Sequence, residues 1–160
     1  MKKLVFAGLM ALANVCLADG VVVKVSPVAQ YGDPVRISSN IRNECALPEA
    51  QAAASLKGLE EAGISAEAAP EDQLKQSGYY LKLRLENVVS MGNAFIGHHK
   101  SVSMIAKLYK NGKLVDTFTG SRDSMGGIMG GFKGSCSVLE RCTQTLGKDL
   151  AAWVKGKLDA

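Results

Sequence analysis

The sequence lacks the residue combinations that most enzymes and metalloproteins use. It contains two histidines and four cysteines in 160 residues. No Gly-x-Ser-x-Gly, His-Glu-x-x-His or paired-carboxylate spacing is present, so no nucleophile and base of a hydrolase can be recognised. A Cys-x-x-Cys motif, which would favour redox chemistry or zinc, is also absent. We therefore predict a protein that is not an enzyme and that has no cofactor.

Long runs of one charge are missing as well. The chain has 19 basic and 15 acidic residues, and its basic residues are not interleaved with aromatic ones. A nucleic-acid-binding surface normally has both features. We therefore predict no nucleic-acid partner.

The first 18 residues have the pattern of a secretory signal peptide. Lys2 and Lys3 precede an apolar run over residues 4–12, and the small Ala18 precedes Asp19. The run is too short to span a membrane. This pattern predicts cleavage near Ala18 and a periplasmic or secreted protein that is soluble rather than membrane-spanning. The alternative, a lipid-modified Cys16, fits less well because Asn14 and Val15 are unusual before such a cysteine.

Residues 19–160 are enough for one domain, and without the two leader lysines their net charge is near +2. They predict an α+β fold, with an antiparallel-rich sheet of about four to five strands and two main helices packed on one face. Strands are expected at residues 21–25, 79–86 and 102–108, with a possible edge strand at 64–69. Helices are expected at residues 48–62 and from Ser137 onwards, with a single helical turn at 71–76 and an irregular connection at 31–40.

Asn111-Gly112 predicts a two-residue hairpin turn, since both central positions of a type I′ turn need positive φ. The expected cross-strand pairs are Lys110–Lys113, Tyr109–Leu114, Leu108–Val115, Lys107–Asp116 and Ile105–Phe118. Lys107 and Asp116 would then form an exposed charge pair. The face that carries Ile105 and Phe118 is either partly covered or a contact surface.

The last helix is predicted to begin with a capping box, in which Ser137 and Glu140 bond each other's backbone. Apolar residues then recur at helical spacing and define the buried stripe: Leu139, Cys142, Leu146, Leu150, Trp153 and Val154. Gly147 interrupts this helix, which suggests a close approach between the helix and the sheet.

Three cysteines remain after the leader, and export would expose them to oxidation. If Cys142 lies in the helix that Ser137 begins, it is six positions and about 9 Å from Cys136. A disulfide needs Cα atoms within about 7 Å. The spacing therefore favours a Cys45–Cys136 disulfide with Cys142 reduced, and Cys142 stays open as the alternative partner of Cys45.

The glycine-rich segment at residues 124–136 is the first candidate for function. It holds two successive Met-Gly-Gly tetrapeptides before a helix and could hold an anion through backbone N–H groups. It is not a P-loop, because Lys133 follows Phe132 rather than glycine. Its candidate binding residues are Met125, Met129, Phe132 and Lys133. The alternative is a flexible connection whose apolar side chains are buried on the domain or on a partner.

His98 and His99 are the second candidate and are expected between two strands. Neighbouring strand residues point to opposite faces, so two consecutive histidines rarely bind one ion. Together with methionines they could still form a Cu(I) site, which soft thioether ligands favour. The methionines considered are Met91, Met104, Met125 and Met129.

Two stretches, residues 92–101 (GNAFIGHHKS) and 130–136 (GGFKGSC) followed by Leu146-Gly-Lys-Asp149, resemble an uncharacterised family of small exported proteobacterial proteins. The resemblance implies an exported bacterial domain with Cys45 and Cys136 in place, and it implies no activity. More loosely, the architecture looks like sheet-and-helix modules of periplasmic assembly lipoproteins. The leading hypothesis is a non-enzymatic periplasmic binding or adapter protein with a periplasmic or envelope protein as partner. Periplasmic copper binding is the alternative.

Overall fold

A computed structural model describes residues 20–76, 78–93, 97–124 and 134–159 of the chain. Its strands and helices confirm the α+β class. In chain order they are β1 (Val22–Val25), β2 (Gln30–Tyr31), a 3-10 helix (Pro34–Arg36), α1 (Ser39–Glu44), α2 (Leu47–Glu61), β3 (Ser65–Ala68), a second 3-10 helix (Glu71–Lys75), β4 (Tyr79–Asn93), β5 (Gly97–Lys110), β6 (Lys113–Ser124) and α3 (Ser135–Leu158).

The strands form one six-stranded mixed sheet in the order β3-β1-β4-β5-β6, with β2 also beside β4. The parallel pairs are β1 with β3, β1 with β4 and β2 with β4, and the long pairs β4–β5 and β5–β6 are antiparallel. The strands expected at residues 21–25, 64–69, 79–86 and 102–108 are confirmed. The sheet has one more strand than the upper expectation because the two-residue β2 has no alternation that a sequence pattern could reveal.

The apolar positions of the central strands alternate, and one set faces the helices. On β4 these are Leu81, Leu83 and Leu85, all fully buried. They belong to the same core as the apolar stripe of α3, where Leu139, Leu146 and Leu150 are also fully buried and Trp153 is half-buried. The predicted stripe is therefore confirmed.

Gly147 marks a close approach, but to a helix rather than to the sheet. A Cβ atom at Gly147 would lie 2.2 Å from the backbone oxygen of Ala54, and one at Gly58 would lie 2.4 Å from the backbone oxygen of Gly147. The backbones of α2 and α3 thus touch where neither glycine carries a side chain. The predicted helix-to-sheet contact was wrong because the second glycine, Gly58, lies on another element.

Residues 31–40 are more regular than predicted. Ile37 is buried and bridges to Val88 of β4, and α1 begins after Ser38, whose Oγ accepts a hydrogen bond from the Ile41 N–H. Asp33 caps the preceding 3-10 helix through the Val35 N–H. These caps are local signals that favour helical turns, and the prediction of an irregular connection missed them.

The β5–β6 turn is confirmed, with φ of 51° at Asn111 and 77° at Gly112. The pairs Lys110–Lys113 and Tyr109–Leu114 are also confirmed, but a bulge at Val115 shifts all later pairs by one residue. The pairs predicted for Leu108, Lys107 and Ile105 were therefore wrong, and these residues lie opposite Asp116, Thr117 and Thr119. The shift turns Phe118 to the helix side, where its ring lies 5.7 Å from that of Trp153.

The shift also gives Asp116 another partner, because its carboxylate lies 2.6 Å from Lys157 of α3 instead of pairing with Lys107. The hydrogen bond from Lys157 lowers the pKa of Asp116, and a bond from the Thr117 N–H adds to the effect. The first residues of β6 are thereby connected to the last turn of α3.

The predicted capping box at Ser137 was wrong. α3 begins two residues earlier, with Gly134 as the N-cap and without a side-chain capping bond. Ser137 lies inside the first turn, and its Oγ donates to the Gly134 carbonyl at 2.9 Å. In the parts of the chain that the structure describes, no helix is long and apolar enough to cross a membrane.

Candidate functional site

The two histidines lie on a strand rather than in a loop. The β4–β5 hairpin continues to Asn93 and Gly97, which places His98 opposite Gly92 and His99 opposite Met91. The His99 side chain is exposed, and its Nε2 lies 3.5 Å from Oδ1 of Asp123 on β6. The expectation that the histidines lie between two strands was therefore wrong.

The glycine-rich candidates Met125, Met129, Phe132 and Lys133 lie outside the described residues, as do the signal peptide at residues 1–18 and Cys16. The first residue of the glycine-rich segment, Ser124, is described and pairs with Lys100 of β5. Lys100 is the neighbour of His99. The structure thus brings the histidine pair and the start of the glycine-rich segment to one end of the sheet, called the loop end below and formed by Met91, His99, Lys100 and Ser124.

Lys100 is a feature of the loop end that the sequence prediction missed. Only 4% of its surface is exposed, and its Nζ lies 2.6 Å from Oγ of Ser90. The sequence does indicate that Lys100 is buried, since it continues the alternation of the buried Val102 and Met104. A lysine in such a position is normally assigned to a solvated face, because burial of an ammonium group costs free energy.

The candidate copper ligands separate in the structure. Met91 and His99 lie opposite each other on one sheet face and are both exposed, whereas Met104 is fully buried in the core on the other face. Within the described ranges, no group of three or more His, Cys, Asp and Glu side chains could hold a metal ion. Met104 is therefore no ligand candidate.

The cysteines are arranged as the spacing favoured. Cys45, between α1 and α2, forms a disulfide with Cys136 in the first turn of α3, with a Cα–Cα distance of 5.3 Å. Cys142 is free and buried. Burial raises the pKa of its thiol, and the charge of Asp123 raises it further against the opposing effect of Arg141. Such a thiol is a poor nucleophile.

The sheet face away from the helices is only partly covered. After β3 the chain crosses this open face through residues 69–76, and the crossing buries Tyr80, whose hydroxyl donates to the Ala69 carbonyl at 3.0 Å. Alternation along β4 puts Tyr80 on the same face as Lys82 and Arg84, and it is buried there because the chain returns over the sheet. Burial raises the pKa of Tyr80 to about 12, and the charges of Glu71 and Asp72 add to the shift.

Beside the crossing lies a shallow cavity of about 140 Å³. Its lining is polar and basic with two apolar contributions: Gln30, Lys82, Arg84, Ile105, Lys107 and Tyr109. Glu71 pairs with Lys82 and accepts a bond from Gln30 at 3.0 Å, and Glu86 pairs with Arg84. Most of its charges thus have partners, and the arrangement resembles a solvated sheet surface more than a reaction centre.

The outer edge of β6 has no strand beside it in the described residues. β6 is 12 residues long and pairs with β5 alone. The Thr117 N–H bonds to Oδ1 of its neighbour Asp116 at 2.7 Å rather than to β5. Because N–H groups two residues apart point the same way in an antiparallel strand, Thr119 and Ser121 also direct theirs to the outer edge.

This fold recurs in solved bacterial proteins of low sequence identity. No protein-family model and no curated protein sequence matches the chain. Among solved structures it is similar to the PelC dodecamer from Paraburkholderia phytofirmans, with 19% identity, a TM-score of 0.54 and coverage of 82% of this chain and 88% of that one.

Two further structures have the same architecture. Protein XCC0632 from Xanthomonas campestris, of the DUF330 family, has 11% identity, a TM-score of 0.56 and coverage of 87% of both chains. The hypothetical protein CT253 from Chlamydia trachomatis has 11% identity, a TM-score of 0.59 and coverage of 86% and 96%. At these identities the likeness establishes the fold.

Proposed function

We propose that the chain is a non-catalytic adapter domain of the bacterial cell envelope that assembles with copies of itself through the outer edge of β6. The observation that carries the proposal is the unpaired edge of this 12-residue strand, a ready template for another strand. The PelC dodecamer supports it, because a chain of the same architecture assembles with copies of itself there. Export is supported by the leader sequence and by the disulfide.

The edge is tested by the oligomeric state of residues 19–160 in native mass spectrometry and light scattering. Thr119→Pro removes an N–H that points outward and leaves the ladder with β5 intact, whereas Thr119→Ala keeps the N–H. We expect an oligomer for the unaltered chain and for Thr119→Ala, and a monomer for Thr119→Pro. A Thr119→Lys/Ser121→Lys variant, which blocks the edge by charge, gives the same reading if the proline variant does not fold. A monomeric unaltered chain contradicts the proposal.

The adapter surface that we propose is the loop end together with the glycine-rich segment. Its contact residues are His98, His99, Met125, Met129, Phe132 and Lys133. The pairing of Lys100 with Ser124 supports this, because it brings the histidine pair and the start of the segment together. A segment with many glycines loses much conformational entropy when ordered, so its large apolar side chains gain most when a partner buries them.

Met129→Ser with Phe132→Ser tests the adapter surface by crosslinking in the periplasm and mass identification of the partner. We expect loss of the crosslinked partner with the thermal midpoint within a few degrees of the unaltered protein. Leu114→Ser with Val115→Ser, which removes two exposed apolar side chains elsewhere, is the control and retains the partner. A drop of about 10 °C for the first variant would assign Met129 and Phe132 to the core instead.

Copper binding remains the second candidate. Met91 and His99 favour it, because they are cross-strand neighbours on one face of the sheet. Thioether and imidazole ligands suit Cu(I). Titration of residues 19–160 with Cu(I) under anaerobic conditions, followed by native mass spectrometry, should give one equivalent that Met91→Leu/His99→Phe abolishes. No uptake, or equal uptake by that variant, contradicts this candidate.

A further inference from the structure

The described chain begins at the end of the sheet opposite the loop end. The starts of β1, β4 and β6 and the ends of β5 and α3 lie there as well. Val23 of β1 pairs with Tyr79 of β4, Tyr79 pairs with Lys110 of β5, and Lys110 pairs with Lys113 of β6. α3 also ends here, since Lys157 bonds Asp116 near the start of β6. This end is called the lysine end below.

The lysine end has an excess of positive charge. Lys75 lies against the β5–β6 turn, because a Cβ at Gly112 would be 3.4 Å from the Lys75 Cα. Its lysines are Lys75, Lys110, Lys113, Lys155 and Lys157. Its carboxylates are fewer: Asp116 pairs with Lys157, Asp159 follows the last turn of α3, and Glu61 at the end of α2 is engaged by Lys57 and Lys148. In the described part of the chain no carboxylate lies within salt-bridge distance of the first four.

Exposed apolar side chains accompany these lysines. Val21 and Val22 at the start of β1 are 52% and 43% exposed. Leu114 and Val115, at the bulge of β6, are 53% and 45% exposed. Lysines around exposed aliphatic side chains are typical of surfaces that lie on an anionic bilayer, where the charges meet phosphate and the apolar groups enter the interface.

Local stability accounts for only part of this pattern. Lys155 and Lys157 lie in the last turn of α3, where the helix dipole favours cations. Lys110 and Lys113 lie directly opposite each other, and like charges in that position destabilise a hairpin. Lys110 has one local contact, at 5.0 Å over the ring of Tyr79. An anion outside the molecule would offset the repulsion between the two ammonium groups.

The path of the chain indicates which anionic surface is within reach. Gly20 and Val21 precede β1 at the lysine end, so residues 1–19 join the described chain at this end. The leader holds the apolar run of residues 4–12. Until cleavage near Ala18, the lysine end is therefore the part of the described chain nearest to the apolar leader.

We propose that the lysine end binds the surface of a bilayer that contains anionic phospholipid. In this orientation the loop end, at the other end of the strands, points away from the lipid. The inference does not depend on the assembly through β6, because a monomer has the same lysine end.

Flotation of residues 19–160 with vesicles tests the proposal. One set of vesicles contains phosphatidylglycerol and phosphatidylcholine, and the other contains phosphatidylcholine alone. We expect binding to the first set that falls with added salt, and at least a tenfold weaker partition for Lys110→Gln/Lys113→Gln, since each lysine near an anionic surface strengthens binding severalfold. Arg42→Gln/Arg141→Gln removes the same charge from two exposed side chains on α1 and on the first half of α3, away from the lysine end, and should bind like the unaltered protein.

The thermal midpoint of the same variants separates binding from folding. Because Lys110 and Lys113 repel each other, we expect Lys110→Gln/Lys113→Gln to melt at the same temperature or slightly higher while its vesicle binding falls. Equal binding to both vesicle sets, equal loss for the control pair, or unchanged binding by the variant overturns the proposal. A loss of binding with a lower midpoint overturns it as well, because the lysines would then act through the fold.

Discussion

The two faces of the sheet carry the same alternating sequence pattern and are stabilised in different ways. On the helix face, leucines of β4 and β5 lie fully buried under α2 and α3, and the two helices touch backbone to backbone at Gly58 and Gly147. On the open face, ion pairs and a short crossing segment lie over a sheet that is otherwise half-exposed. Close packing tolerates little change, whereas exposed ion pairs contribute little to stability.

This difference indicates where the molecule can vary without unfolding. Substitutions on the helix face are expected to lower the stability of the fold. Those on the open face, the sheet edge and the two ends are expected to change contacts with other molecules and to leave the fold intact. The effects of substitutions on the two faces test this contrast.

Removal of the disulfide should have the largest effect on the helix face. Cys45 and Cys136 are 91 residues apart and fix the start of α2 to the start of α3. The chain-entropy model gives a loss of about 4.6 kcal/mol for a loop of this length. We expect the Cys45→Ser/Cys136→Ser variant to melt about 10 °C below the unaltered protein. A reductant should lower the midpoint of the unaltered protein and leave that of the variant unchanged; a reductant effect on the variant would contradict the assignment.

Gly147→Ala should have the next largest effect. Its Cβ would overlap the backbone of Ala54, which can move only if α2 moves, so we expect a loss of about 3 kcal/mol in chemical denaturation. Gly156→Ala is the matched control on α3, since a Cβ there meets no atom within 4 Å. This control should gain about 0.5 to 1 kcal/mol from helix propensity. Equal effects of the two substitutions would show that α2 and α3 are not in contact at Gly147.

The sequence predicts the parts of this fold that depend on local periodicity. Three features depend on residues that are only a few positions apart, so their physical cause is visible in the sequence. They are the alternation on β4 and β5, the stripe of α3 and the Asn111-Gly112 turn. The contact between Gly58 and Gly147 is not visible in this way, because it joins two elements far apart in the chain. The same holds for Tyr80, which is buried by a segment that the alternation does not include.

The candidate site is predicted less well than the fold. The spacing argument paired Cys45 with Cys136, and the turn residues gave the correct first two pairs of the β5–β6 hairpin. The bulge at Val115 then reversed the face of every later residue of β6, because side chains alternate with a period of two. A single extra residue in a strand therefore decides whether Phe118 belongs to the core or to an open surface.

Tyr80→Phe tests a buried contact on the open face. Loss of the bond from its hydroxyl to the Ala69 carbonyl should cost about 1 kcal/mol at pH 8. The pKa of about 12 in the folded protein exceeds the ordinary value of 10. The neutral hydroxyl therefore stabilises the fold fully below pH 10, and this contribution is lost as the pH rises from 10 to 12.

Chemical denaturation at pH 8 and at pH 11 measures both effects for Tyr80→Phe. The difference between the variant and the unaltered protein should shrink at pH 11, because the unaltered protein has lost part of the Tyr80 contribution. Tyr109→Phe, on the same face and half-exposed, is the control and should be close to neutral at pH 8. A Tyr80→Phe variant as stable as the control would mean that the crossing segment does not bury this hydroxyl.

The smallest effect is expected for the ion pair that holds the crossing segment. Glu71 pairs with Lys82 and accepts a bond from Gln30, but the Glu71 side chain is 49% exposed. Glu71→Gln should therefore cost less than about 1 kcal/mol, and the cost should decrease in high salt. Asp72→Asn, the neighbouring carboxylate without an ion pair in the described structure, should be neutral. If Glu71→Gln destabilised the protein as much as Gly147→Ala, the open face would be as cohesive as the helix face. The contrast between the two faces would then no longer hold, and surface variants on this side could not be interpreted as changes in binding alone.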